Sequence, residues 1–330
     1  MEGRTRRRSS EDRRWLESKI LPNDTMPEVA KNVLRVHFRK MLENEKGVRK
    51  GEDMEKLHDM RVAVRRMRTA SRIFGDFLDS EEFGRFNRAL KTLGRTMGPV
   101  RDMDIWIANA LSFRETLPLR AGLDLDGVIR DWQADREKLR VRMLAYMASP
   151  RYRRFRRNFP TFLDDPEIGV RVAQDSGGQI RALTLRQLGP VILYGRLAAV
   201  RAYEGWLEAD EIPLRRYHRF RIEVKRLRYA LEFLTDITGP EAEPLIGSLK
   251  RVQDHLGDLR ETWMASDRLE AVLKSSAAGN KKSGQHPGIA AYLASRRDHF
   301  ESLFESFPSV WATIRNPEFN RRFAALVAAF

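Results

Sequence analysis

The chain has 330 residues, with 61 lysines and arginines against 46 aspartates and glutamates, so its formal charge at pH 7 is +15. It contains no cysteine, which excludes disulfides, thiolate metal sites and cysteine nucleophiles. A hydrophobic fraction of 42% suffices for a sizeable core, and the length favours two domain-sized units. The basic surplus indicates a polyanionic partner, and we expect a cytoplasmic protein without a membrane span or a secretory signal.

The predicted elements are helices almost throughout the chain. A basic arm at 1–27 lacks apolar periodicity in its Arg-rich part, and we predict it to be flexible. Segments with apolar residues at helical spacing follow it. They cover residues 28–46, 53–79, 81–111, 126–148, 177–209, 212–237, 241–274 and 288–306. Strand-like alternation is scarce, so the sequence predicts an all-α fold.

Helix-breaking residues divide these predicted helices into two groups. A basic stretch, Arg151–Arg157, is followed by Pro160 and by Asp164-Asp165-Pro166, and residues 275–288 form a polar loop. We therefore predict a first helical half at 28–165, a second at 166–315 and a C-terminal tail at 316–330.

An internal repeat supports this division. The segment from Leu57 to Ala70 matches the segment from Tyr217 to Ala230 at an offset of 160, with histidine, arginine, aliphatic and basic residues in register. Parts of 91–102 then match parts of 250–261 at an offset of 159. Two long matches in the same order indicate homologous helical halves, and the period is too long for a solenoid.

Each copy of the repeat predicts an amphipathic helix with a cationic stripe. On a helical wheel the first stripe falls within about 80°, and it runs along about 21 Å of the helix. Its members are His58, Arg61, Arg65, Arg68 and Arg72. The second stripe holds His218, Arg221, Lys225 and Arg228. Apolar residues occupy the opposite face of both helices.

The spacing of these charges favours an anion-binding role over a solvated face. Solvated helices usually alternate acidic and basic residues, whereas here like charges recur at the spacings of three and four that place them side by side. Arginine grips phosphate bidentately and keeps its proton, and a histidine at the start of each stripe adds a donor that responds to pH. Packing or capping roles for the histidines stay open.

The doubled motif resembles the CHAD domain, the conserved histidine α-helical domain. The resemblance rests on His58-x-x-Arg61-Val62-x-x-Arg65-Arg66-x-Arg68 and His218-x-x-Arg221-Ile222-x-x-Lys225-Arg226-x-Arg228, and it covers about residues 28–315. It implies two four-helix bundles related by a pseudo-two-fold, with basic faces around a central cavity or groove. It also implies non-enzymatic binding of inorganic polyphosphate, association with polyphosphate granules, and no cofactor.

The resemblance carries the binding role onto the matching positions of this chain. The implied polyphosphate-binding residues are His58, Arg61, Arg65, Arg66, Arg68, Arg72, His218, Arg221, Lys225, Arg226 and Arg228. Weaker candidates are Arg35, Arg39, Lys91, Arg101, Arg186, Lys250 and Arg260. Because Lys225 stands where the first copy has Arg65, we expect the two halves to grip phosphate unequally. Arg101-Asp102 and Arg260-Glu261 could instead be structural ion pairs.

Two alternatives remain open at this point. Nonspecific nucleic-acid binding would use the arm and Arg151–Arg157, although no helix-turn-helix, zinc-finger or RNP signature supports it. Phosphoanhydride hydrolysis would need a metal site, and His58-Asp59 is the one suggestive pair. Its counterpart is His218-Arg219, and the six histidines show no metal-ligand spacing, so we expect no enzyme, no catalytic residue and no metal.

Overall fold

The computed structural model describes residues 19–51, 53–79, 81–120, 122–166, 183–206, 214–278 and 286–330. Most of the predicted arm and the centre of the predicted polar loop, 279–285, lie outside these residues. Across the described ranges the chain is almost entirely helical, and an isolated antiparallel bridge joins Thr25 to Thr184. The predicted all-α class is therefore confirmed.

The helices follow one another with short connections. In the described ranges they are α1 (Met26–Lys50), α2 (Met54–Ile73), α3 (Glu82–Arg114), α4 (Leu123–Ala148), α5 (Pro150–Asp164), α6 (Leu185–Arg201), α7 (Leu214–Phe233), α8 (Thr235–Thr238), α9 (Glu243–Ala278), α10 (Pro287–Arg315) and α11 (Pro317–Val327). Within these ranges, none of them is both long and apolar enough to cross a bilayer.

Local signals explain where several helices begin and end. Thr25 and Thr184 form capping boxes with Glu28 and Gln187 at the starts of α1 and α6. The Asp53 side chain accepts a hydrogen bond from the Glu55 backbone at the start of α2. Helix α1 ends at Gly51, whose φ of 78° lies in the left-handed region that favours glycine.

Two helices were missed by the sequence analysis. The basic stretch Arg151–Arg157 lies within α5, whose N-cap is Ser149 and whose buried face includes Phe155 and Phe159. Pro160 had indicated a break, but it lies inside the helix. The tail at 316–330 contains α11, because Phe319 and Phe323 give it an apolar face that packs into the core.

The two copies of the repeat form helices of equal length. Helices α2 and α7 each span 20 residues at an offset of 160, and they pack against each other. Helix α2 also packs on α1 and α3, whereas α7 packs on α6 and α9. The apolar residues predicted for the hidden faces, among them Val64 and Val224, are fully buried. Their burial leaves the charged faces of α2 and α7 to turn toward α3 and α9.

Candidate anion-binding cavity

A cavity of about 320 Å³ lies between α2, α3, α7 and α9. Eight arginine and lysine side chains line it, together with His58 and two carboxylates. The cationic lining residues are Arg61, Arg65, Arg68, Arg72, Arg101, Arg221, Lys225 and Arg260. Residues from both copies of the repeat thus meet around one space.

Helical spacing explains why the α2 residues share this cavity. His58, Arg61, Arg65, Arg68 and Arg72 are three or four residues apart, which places them on one face of α2. The opposite face is fixed in the core by buried residues such as Met60 and Met67. Rotation of α2 about its axis would expose these residues, so core packing holds the cationic face toward the cavity.

Several cavity cations have no acidic partner. Among the described residues, the side chains of Arg65, Arg68, Arg72, Lys225 and Arg260 make no ion pair within 4.0 Å. The Nε atoms of Arg65 and Arg68 are also buried without a hydrogen-bond partner. Buried cations normally have a counter-charge, so this arrangement points to an anionic ligand.

Two carboxylates in the lining, Asp102 and Glu261, offset part of this positive charge. Arg61 Nη2 lies 3.4 Å from Asp102 Oδ1, and Arg101 Nη2 lies 3.9 Å from Glu55 Oε1. Asp102 therefore pairs with Arg61 rather than with its neighbour Arg101. Burial raises the pKa of Glu261, and the nearby Asp258 raises it further. Eight cations against Asp102 and Glu261 still leave the lining strongly positive.

Burial and repulsion between like charges lower the pKa values of Lys225 and His58 in the lining. Burial lowers the pKa of Lys225 to about 7, with further lowering by Arg221, Arg65, Arg72 and Arg68. Burial also lowers the pKa of His58, and Arg101 adds to the effect. Each group is therefore more readily neutral in the empty cavity than in water, and a bound anion would favour its charged form.

Four residues of the implied binding set lie outside the lining of this cavity, and three of them, Arg66, Arg226 and Arg228, are paired with glutamates. Arg66 Nη2 lies 2.8 Å from Glu232 Oε2, and Arg228 pairs with the same glutamate. The Arg228 Nε atom also donates to Gln253 Oε1 at 3.1 Å, and its guanidinium lies 4.5 Å from the Tyr229 ring. Arg226 pairs with Glu223 on its own helix. The wheel had placed Arg228 in the stripe, but the packing of α7 on α9 buries it.

The remaining candidates divide by position. Arg101 and Arg260 line the cavity, as their recurrence between the halves suggested. Arg35 and Arg39 lie on α1 and pair with Asp164 and Glu43. The weaker candidates Lys91, Arg186 and Lys250 are exposed and lie outside the lining. His218, from the main binding set, is also exposed and outside it. Burial lowers the pKa of His218, and the lining residue Arg260 lowers it further.

Gly94 lines the cavity although no sequence pattern pointed to it. A Cβ atom at this position would lie 2.7 Å from Arg68 Nη1. Gly94 therefore leaves the space that the Arg68 guanidinium occupies. The alignment of the halves pairs it with Gln253, so the repeat carried no signal for it. In the part of the chain that is described, no group of three histidine or acidic side chains could hold a metal ion.

Within the described residues the chain is an all-α protein whose cationic helix faces surround a cavity. A family model for the CHAD domain matches residues 32–270. The chain belongs to the CHAD domain family, which confirms the resemblance drawn from the doubled histidine motif.

Solved structures share the fold. The crystal structure of the CHAD domain from the plant Ricinus communis is 20% identical, with a TM-score of 0.64, and the match covers 95% of this chain and 96% of that one. PptA from Streptomyces chartreusis is 15% identical, with a TM-score of 0.66, and the match covers 88% and 100%. Among curated proteins, none matches this chain.

Proposed function

We propose that this protein binds inorganic polyphosphate in the cavity between α2, α3, α7 and α9, without catalysing a reaction on it. One observation carries the proposal: Arg65, Arg68, Lys225 and Arg260 converge from both repeats and have no acidic partner among the described residues. A linear phosphate polymer carries a negative charge on each unit, so it can neutralise several of these cations at once.

The proposal includes the architecture that the family resemblance implies. In it, each copy of the repeat belongs to one four-helix bundle, and a pseudo-two-fold relates the two bundles. The cavity then lies where equivalent residues such as Arg101 and Arg260 face the axis. Association of the protein with polyphosphate granules follows from the same binding activity.

The chemistry of the lining favours polyphosphate over nucleic acid. No phenylalanine, tyrosine or tryptophan is among the residues that line the cavity, whereas single-strand binders stack bases on aromatic side chains. Tyr229 was the nearest aromatic candidate, and it is fully buried beneath Arg66 and Arg228. A thin polymer without bases suits this lining better.

Competition between the two polymers tests the proposal. Long-chain polyphosphate should displace labelled DNA at equal phosphate concentration, measured by filter binding at two salt concentrations. The double variant Arg65→Glu, Arg68→Glu should lose at least about a hundredfold in polyphosphate affinity, since two contacts become repulsive. The matched control Arg154→Glu, Arg157→Glu makes the same charge change on the exposed face of α5 and should retain affinity.

The outcomes separate the alternatives. If the α5 control loses more affinity than the cavity variant, the binding surface lies on α5 and nucleic-acid binding becomes the better hypothesis. Metal-dependent release of phosphate from polyphosphate that disappears in His58→Ala would establish a hydrolase instead.

A further inference from the structure

Two groups of residues flank the crossing of α2 and α7, and they differ in charge. The capping boxes at Thr25 and Thr184 align α1 with α6 at an offset of 159, and α2 aligns with α7 at 160. In the alignment of the two repeats, His37 therefore corresponds to Arg196, Arg66 corresponds to Arg226, and Arg72 corresponds to Glu232. We call the first group the α1 flank (His37, Arg66, Glu232) and the second the α6 flank (Arg196, Arg226, Arg72).

In the α1 flank, positive and negative side chains pair with each other. Arg66 Nη2 lies 2.8 Å from Glu232 Oε2, and Arg228 occupies the other oxygen of this carboxylate. His37 is buried against Phe233, and burial lowers its pKa to about 3, so it is neutral near pH 7. Glu232 thus neutralises the arginines of this flank, and Lys40 is an exposed cation beside it.

The α6 flank brings like charges together at the corresponding positions. Arg72 lines the cavity, and the Arg196 Nη2 atom donates a hydrogen bond to the Arg72 backbone oxygen at 3.2 Å. Burial lowers the pKa values of Arg72 and Arg196, and the nearby Arg226 lowers both further. Glu223, which pairs with Arg226, and Asp76 offset part of this charge. Asp76 corresponds to Asp236 near the α1 flank, so it does not account for the difference.

We propose that a polyphosphate chain held in the cavity leaves it over the α6 flank, where Arg72, Arg196 and Arg226 form an outer phosphate subsite that the α1 flank lacks. This inference rests on the proposed function. Arg72 lines the cavity and Arg196 is bonded to its backbone oxygen, so the α6 flank adjoins the cavity at Arg72. Chains too short to reach beyond the cavity gain nothing from Arg196.

Chain length therefore provides the test. The variant Arg196→Gln should weaken the binding of long-chain polyphosphate about tenfold, the loss of one charge-assisted contact, and that of tripolyphosphate less than about twofold. The matched control Lys40→Gln removes an exposed cation beside the α1 flank and should change neither affinity. Equal affinity of Arg196→Gln and wild type for the long chain, or an equal loss for both probes, would overturn the exit assignment.

The wild-type protein allows a second readout that is independent of folding effects. Phenylglyoxal modification followed by peptide mass spectrometry should show protection of Arg196 by long-chain polyphosphate but not by tripolyphosphate. Absence of long-chain protection would reject the subsite. A wild-type protein that binds neither probe would reject the proposed function itself, whereas binding with an unprotected Arg196 rejects the exit alone.

Discussion

Lys225 and Arg65 occupy corresponding positions of the two repeats and line one cavity from opposite halves of the chain. Arg65 acts on the Lys225 amine together with Arg221, Arg72 and Arg68. Arg101 and Arg260, and the carboxylates of Asp102 and Glu261, line the same space from α3 and α9. Arginine keeps its proton in this setting, whereas a lysine can lose it.

This difference predicts pH-dependent binding. The pKa of Lys225 in the cavity is about 7, so above that pH the amine is largely neutral. Bound polyphosphate favours the charged form, so binding takes up a proton and affinity falls as pH rises above 7, by at most about tenfold per pH unit. Measurement of Kd between pH 7.5 and 9 avoids the titration of His58, whose pKa is lowered from 6.5.

Exchange of the two residues supplies the control. Lys225→Arg should bind with an affinity that is nearly constant over this range, and Arg65→Lys should steepen the dependence because it adds a second amine. The interpretation is wrong if Lys225→Arg keeps the wild-type pH profile.

Gly94→Ala should raise stability and lower affinity at the same time. Alanine in a helix interior is favoured over glycine by roughly 1 kcal/mol. The added Cβ would lie 2.7 Å from Arg68 Nη1, so the guanidinium must move away from its place at the cavity wall. Urea denaturation should report the gain in stability, and filter binding should report a loss of about threefold to tenfold in affinity. Gly98→Ala is the control, because a Cβ there meets nothing within 4 Å.

Arg228→Met should destabilise the protein and leave the affinity for polyphosphate unchanged. Arg228 is 7% exposed, and its loss leaves Glu232 with Arg66 alone and Gln253 without its donor. We expect roughly 3 kcal/mol less free energy of unfolding, measured by urea denaturation with an unchanged m-value. A loss of affinity comparable to that of Arg65→Glu, in the folded protein, would return Arg228 to the binding set.

Salt dependence should separate lining cations from surface cations. Polyphosphate binding releases counterions, so the logarithm of the association constant should fall linearly with the logarithm of salt concentration. Arg260→Gln removes a lining charge and should make this slope shallower by a little under one unit. Lys250→Gln, on the exposed part of the same helix, should leave the slope unchanged. Equal slopes for the two variants would place Arg260 outside the site.

Local patterns in the amino-acid sequence are enough to predict the all-α class, the family and the helices that carry the candidate site. Periodicity predicted the buried faces of α2 and α7, and the doubled motif pointed to His58, Arg61, Arg65 and Lys225. These features depend on residues close together in the chain, so a helical wheel and an offset could find them. The break assigned at Pro160 was wrong because tertiary packing of the α5 phenylalanines outweighs a local signal.

Which charges face the same space depends on how the helices pack. Arg68 and Arg228 correspond in the repeat, yet one lines the cavity and the other is buried against Glu232 and Gln253. One acid, Glu232, pairs with both Arg66 and Arg228: it lies one turn from Arg228 on α7, and it reaches Arg66 because α7 packs on α2. Charge pairing is a property of distance in space, so a linear pattern of arginines left open which of them would remain unpaired.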